Sequence, residues 1–296
     1  MSTSPDLPPV NTAPSSLNGA RQLALHLGWL VLFGGFAWAL PAPWSLVPWL
    51  VYGVGLVTLF APLHESSHNS VFAHDWANRA LASVLGLILF LPALEFRYFH
   101  FAHHRHTQDP EKDPELSGGK PANMGQYLWA LSGLPMWWGV ARNNFSMILG
   151  RHAPAYIPAG RRAAVYRQAR LYLLGYLALL VFSFAAQSAV LFWFWLLPLL
   201  LCQPFLRFVL MAEHGGCDFV PDMLRNSRTT LSSPLVRFLM WNMNYHSEHH
   251  SQPSLPFWAL PAQHKRQREQ VEFLSPSYPG AHREIRTQSR RPTAQP

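Results

Sequence analysis

The sequence is short of charge. Asp, Glu, Lys and Arg make up 13% of its 296 residues, where soluble domains carry roughly a quarter. Hydrophobic residues make up 49%, with 12 Trp and 19 Phe among the aromatics. That deficit excludes an ordinary water-facing surface and points to lipid. Cysteine is nearly absent: Cys202 and Cys217 make no C-x-x-C pair and fit no disulfide framework. Positive charge is in surplus, at +8 net. The basic residues flank apolar runs, where anionic headgroups attract them, so nucleic acid is not an expected partner. The opening residues lack the charged-then-apolar signature of a cleaved signal. Residues 1–20 read as a polar, disordered leader and residues 21–274 as one membrane domain. Residues 275–296, rich in Pro, Arg and Gln, read as a disordered basic tail. No long repeat occurs; Asp109-Pro110-Glu111 returns only as Asp113-Pro114-Glu115.

What is present, first, is a set of apolar runs. Residues 23–40 hold one ionisable side chain, His26, and residues 44–63 hold no charge. Residues 171–187 and 190–206 form a second such pair. A span needs about 20 apolar residues, so four transmembrane helices are expected. Residues 81–94 and the Trp-rich residues 127–140 are shorter and read as re-entrant or interfacial. The links inside each pair, 41–43 and 187–189, carry no basic residue, whereas the middle region and the tail carry many. The positive-inside rule then puts the N-terminus, the middle region and the C-terminus in the cytoplasm. The expected fold class is all-α: a multi-pass membrane protein of about four transmembrane helices, capped by a cytosolic helical domain.

That domain carries three histidine groups: His64-Glu65-Ser66-Ser67-His68, His100-Phe101-Ala102-His103-His104 and His246-Ser247-Glu248-His249-His250. Residues i, i+3 and i+4 share a helical face, so each group is expected to aim its imidazoles at one point. His214, in Glu213-His214-Gly215-Gly216, emerges at the same surface after the fourth run and joins them. Unpaired polar groups near lipid are costly, which weighs against a merely structural reading. Nine imidazoles are too many for one ion and suit two metals with positions left open. His106 is rotated away from its neighbours and is expected in solvent or behind the ligands. His26 is expected to be a polar helix contact, and His74, His152, His264 and His282 are expected at the surface. No Glu-x-x-His pair of the soluble di-iron bundles occurs. Glu65, Asp109, Glu213 and Glu248 are the candidates to accept the second ring N–H of a ligating histidine.

The series HESSH, HFAHHRHTQDPEKDPE, EHGG and NMNYHSEHH resembles the membrane fatty acid desaturase superfamily, which includes alkane hydroxylases and carotenoid hydroxylases and ketolases. The resemblance spans roughly Ala61 to His264. It implies a non-haem di-iron centre held by His64, His68, His100, His103, His104, His214, His246, His249 and His250. The chemistry implied is O2 activation at two irons and hydrogen abstraction from an unactivated C–H bond. Two abstractions give an alkene; one abstraction with oxygen rebound gives an alcohol. No His-Pro-Gly-Gly haem motif of a fused cytochrome b5 occurs. Electrons are therefore expected in trans, from ferredoxin or cytochrome b5 and its reductase. The compact chain resembles bacterial members, which implies the inner membrane. A fatty acyl desaturase is the leading expectation. A hydroxylase of an alkane, terpenoid or other small apolar molecule is the alternative within the same chemistry. A histidine-rich metal transporter is the rival from another class, although its ligands would be expected along a midplane pathway.

Overall fold

The computed structural model describes residues 10–288. α1 (Ser16–Ala39) starts where the Ser15 hydroxyl accepts the Asn18 N–H at 3.3 Å. At about 1.5 Å per residue it is roughly 36 Å long, enough to cross the hydrocarbon core. α2 (Leu46–Val57) and α3 (Phe60–Ser67) continue one another as a second span, Leu46–Ser67. Chain direction then reverses into α4 (Asp75–Ile88) and α5 (Ala93–His106), bent by 102° at a short break. This bend takes in residues 81–94.

The break is built by side chains from other helices. Phe90 sits at φ 59° and stacks on Trp195, with ring centroids 5.1 Å apart. Freed backbone carbonyls cannot go unpaired in lipid. Asn144 donates to the Phe90 carbonyl (2.8 Å), Trp195 to that of Ile88 (2.8 Å) and Tyr176 to that of Leu87 (2.9 Å).

α6 (Met124–Leu131) and α7 (Leu134–Ile148) follow one another through a turn at Gly133, whose φ of 75° suits it. α8 (Arg162–Ala185) is the third span, and a π turn at Phe192–Leu196 leads into α9 (Leu197–His214), the fourth. Among the described residues four candidate spans are thus present, as the apolar runs require. Their outward faces are apolar and exposed, for example Val31, Phe182 and Phe184, as lipid contact requires. α3 and α9 run on past the apolar stretch to reach His64 and His214. The rest is short: β1 (Arg228–Thr230), α10 (Pro234–Leu239), α11 (His246–Ser251), α12 (Leu260–Gln267), β2 (Phe273–Ser275) and α13 (Tyr278–Gln288). β1 and β2 pair in parallel, Thr229 opposite Leu274.

Two expectations are corrected here. The tail from 275 is ordered at least to Gln288: α13 packs on α9 and carries buried Tyr278, Ala281, His282 and Ile285. Those positions follow i, i+3, i+4, i+7, an amphipathic stripe that the Pro- and Arg-rich composition obscured. The buried Arg228 guanidinium ties this helix down, bonding Glu284, the Ser275 hydroxyl (2.7 Å) and the Gly215 carbonyl (2.9 Å). At the other end, helix α1 already begins inside the expected 1–20 leader; residues 1–9 and 289–296 lie outside the described residues.

Candidate metal centre

α3, α5, α9 and α11 bring their histidines to one end of the bundle. All nine expected ligands converge there, in two groups. His64, His68, His100, His104 and His249 form one; His103, His214, His246 and His250 form the other. Within each, one ring nitrogen from every histidine lies within 4.8 Å of those of the others. The helical repeat explains the split and corrects the expectation of one point per motif. A step of i+4 turns a side chain only about 40°, whereas i+3 swings it about 60° the other way. So the pairs His64/His68, His100/His104 and His246/His250 stay together, while His103 and His249 cross to the opposite group.

The rings face each other through Nε2. His100 Nε2 lies 2.7 Å from that of His68 and 3.0 Å from that of His104, which lies 3.1 Å from that of His249. In the second group His214 Nε2 is 3.1 Å from that of His103 and 2.9 Å from that of His246. An imidazole nitrogen offers one proton or one lone pair, so neither His100 nor His214 can hydrogen-bond both neighbours. Two nitrogens bound about 2.1 Å from one ion, at a right angle, sit about 3.0 Å apart. Both ring nitrogens of His64 and Nε2 of His250 are buried without a hydrogen-bond partner among the described residues. Burial, reinforced by neighbouring imidazoles, holds His68, His246, His249 and His250 well below the usual imidazole pKa. They are neutral, which is the ligating form. The donor set therefore fits two cations, one per group.

The outer nitrogens are held unequally. His103 Nδ1 lies 3.0 Å from Asp113 Oδ1 and His214 Nδ1 lies 3.0 Å from the Asn226 carbonyl. Thr107 gives its hydroxyl proton to the His103 carbonyl (2.7 Å) and so accepts from His250 Nδ1 at 3.2 Å. Burial opposes the Asp113 carboxylate. Its bonds to His103 and to the Gln108 and Glu115 N–H groups outweigh this, keeping its pKa below the ordinary value.

The four carboxylates picked from sequence fare differently. Glu65 Oε1 is 3.6 Å from His64 Nδ1 and Glu213 Oε1 is 3.6 Å from His246 Nδ1. Glu248 instead accepts from Thr229 and, at 2.6 Å, from His264 Nδ1. Asp109 caps the turn at Glu111 and Lys112 and touches no cluster ring. The carboxylate that hydrogen-bonds a cluster ring is Asp113, in the second Asp-Pro-Glu of the pair; that duplication was the visible signal.

Several other histidines also depart from expectation. His264 and His282 are buried rather than at the surface, and His152 is largely so. His282 donates to the Phe208 carbonyl (2.6 Å) and accepts from the Tyr127 hydroxyl (2.7 Å), which links α13 to α9 and α6. His152 Nε2 lies 3.3 Å from Glu95 Oε1. His26 is the polar helix contact anticipated: it accepts from Trp241 Nε1–H (3.1 Å) and donates to the Gly55 carbonyl (2.9 Å). His106 is partly exposed and belongs to neither group.

The family model described as fatty acid desaturase matches residues 41–280. The chain belongs to the fatty acid desaturase family. Within it, the chain is similar to an sn-1 oleoyl-lipid 12-desaturase of Arthrospira platensis, 23% identical over 85% of the chain and 78% of that protein. It is 26% identical to a beta-carotene ketolase of Paracoccus sp. strain PC1, over 87% of the chain and 96% of the ketolase. An sn-1 oleoyl-lipid 12-desaturase of Picosynechococcus sp. is 30% identical, but over 36% of the chain and only a third (33%) of that relative's length. The relatives named here are oxidoreductases, desaturases and a ketolase. The desaturase-family histidines of this chain form two closed clusters at one end of the bundle, not a path along it.

Proposed function

We propose that the chain is an O2-dependent, di-iron fatty acid desaturase that introduces a double bond into a lipid-linked or thioester acyl chain. The observation that carries this is the set of nine imidazoles, sorted five and four, with Nε2 of His64 and of His250 buried without a hydrogen-bond partner among the described residues. Two iron ions bound there would supply reduction of O2 coupled to removal of hydrogen from an unactivated C–H bond. The balance is one –CH2–CH2– unit, one O2, two electrons and two protons giving –CH=CH– and two waters.

The chain's own residues prepare that chemistry. Asp113, Asn226 and Thr107 fix ring tautomers and orientation on the four-histidine side. Phe96 lies parallel to His100 (5.5 Å between centroids) and Phe60 packs edge-on against Phe96, keeping water from the five-histidine side. Placement in a bacterial inner membrane with the histidines and both termini cytoplasmic is part of the proposal, supported by the basic residues at that end. Electrons would come from ferredoxin or from cytochrome b5 with its reductase, to which an exposed basic surface is complementary. The alignment with almost the whole length of a carotene ketolase favours one second reading, oxygen insertion into a small apolar molecule.

The test is expression with a ferredoxin–reductase pair in a host of known lipid profile, beside His249→Ala. Acyl chains two hydrogens lighter than a host species, absent with the variant, support the desaturase. Products one oxygen heavier support the second reading. An unchanged lipid profile from iron-loaded protein refutes action on bulk acyl lipid.

A further inference from the structure

The two clusters differ in what stands behind them. In the four-histidine cluster, Nδ1 of His103, His214 and His250 each meets an oxygen at 3.0–3.2 Å, from Asp113, Asn226 and Thr107. The fourth, His246, is buried at Nδ1 without a hydrogen bond and has Glu213 at 3.6 Å. In the five-histidine cluster, Nδ1 of three rings, His64, His104 and His249, is buried without a hydrogen bond, with Glu65 3.6 Å from that of His64. A held Nδ1–H leaves Nε2 with its lone pair aimed inward. An unheld ring must give up tautomer and rotamer freedom when an ion arrives.

Charge does not separate the clusters. Around the four-histidine cluster Asp113 and Glu115, 3.0 and 3.8 Å from His103 Nδ1, stand against Lys120 and Arg207. Around the five-histidine cluster Glu65 stands against Arg97. Glu248 lies on α11, the helix that serves both clusters, so it distinguishes neither. Ligand number alone would favour the five-histidine cluster. Three rings with unsupported nitrogens, against one in the other cluster, work against it.

We propose that the clusters load unequally: the four-histidine cluster takes the first ion, and the five-histidine cluster holds its ion more weakly and exchanges it. This rests on the two-iron reading above. The consequence is a centre whose five-histidine ion is the one lost to chelators, with Asp113 and Thr107 as positioning residues for the other.

The test is anaerobic titration of metal-free full-length protein in lipid nanodiscs with Co(II), followed by visible absorption and calorimetry, then repeated with Fe(II). Two steps at least about tenfold apart in affinity are expected. Asp113→Asn should weaken the first step by about 10–100-fold, the usual effect of losing such a partner, and leave the second unmoved. Thr107→Val, a separate perturbation should Asp113→Asn not fold, should move the first step in the same direction. His68→Ala should abolish only the second step. Two steps of equal affinity, or a first step lost in His68→Ala, would overturn unequal loading while leaving the two-metal reading intact. Binding of one ion or none by the unaltered protein would overturn both.

Discussion

Glu248→Ala should destabilise the third histidine motif from within. The carboxylate is fully buried (0% exposed) and accepts hydrogen bonds from the Thr229 hydroxyl and, at 2.6 Å, from His264 Nδ1–H. Alanine leaves two buried donors without an acceptor. Each such donor costs about 1–3 kcal/mol, so about 2–6 kcal/mol is lost before any cavity is counted. That is a large part of a typical total of 5–15 kcal/mol. For a chain of this size each kcal/mol moves Tm by about 2–4 °C, so the metal-free variant should melt at least about 4 °C lower. Glu248→Gln keeps the shape and one acceptor oxygen and should lose less. The assay is tryptophan-fluorescence melting of metal-free protein in one detergent, wild type beside both variants. A Glu248→Ala protein that melts with the wild type would refute the reasoning, because the buried donors would then have found other partners at no cost.

Burial lowers the Lys120 pKa from 10.5 to about 8, and its ammonium lies 4.0 Å from the Phe219 ring centroid. The unfolded chain holds that proton up to a higher pH. Stability should therefore rise between about pH 8 and 10.5 and be flat below, and Lys120→Met should remove that rise in pH-dependent chemical unfolding. Phe90→Ala removes a half-buried ring stacked on Trp195 and should cost about 3 kcal/mol, the low end for such truncations, read by the same melting assay. A stop after Ser275 removes α13 and leaves the buried Arg228 without Glu284. An uncompensated buried charge costs about 3–5 kcal/mol, so detergent-soluble monodisperse protein should fall sharply in size-exclusion chromatography. Full-length yield from the truncated chain would contradict the packing described for α13.

What could be read from the chain alone was whatever depends on neighbours in sequence. Four spans follow from runs of residues that water excludes. The nine histidines follow from i, i+3 and i+4 spacing on short helices, and His214 follows from its place at the end of a span. The amphipathic stripe of α13 was equally local, but it lay beneath a composition that suggested disorder.

Tertiary structure decided the rest, because the deciding partners are remote in the chain. The five-and-four sorting depends on how α5 and α11 are rotated about their own axes, which sends His103 and His249 across. Asp113 rather than Asp109 reaches His103, because the turn after α5 folds the second Asp back and spends the first on capping. His264 and His282 are buried by contacts with Glu248, Phe208 and Tyr127. A sequence shows which side chains have metal-binding chemistry and which segments prefer lipid. Only packing fixes which oxygen stands behind which ring, since that choice is made at ångström scale between segments brought together by the whole fold.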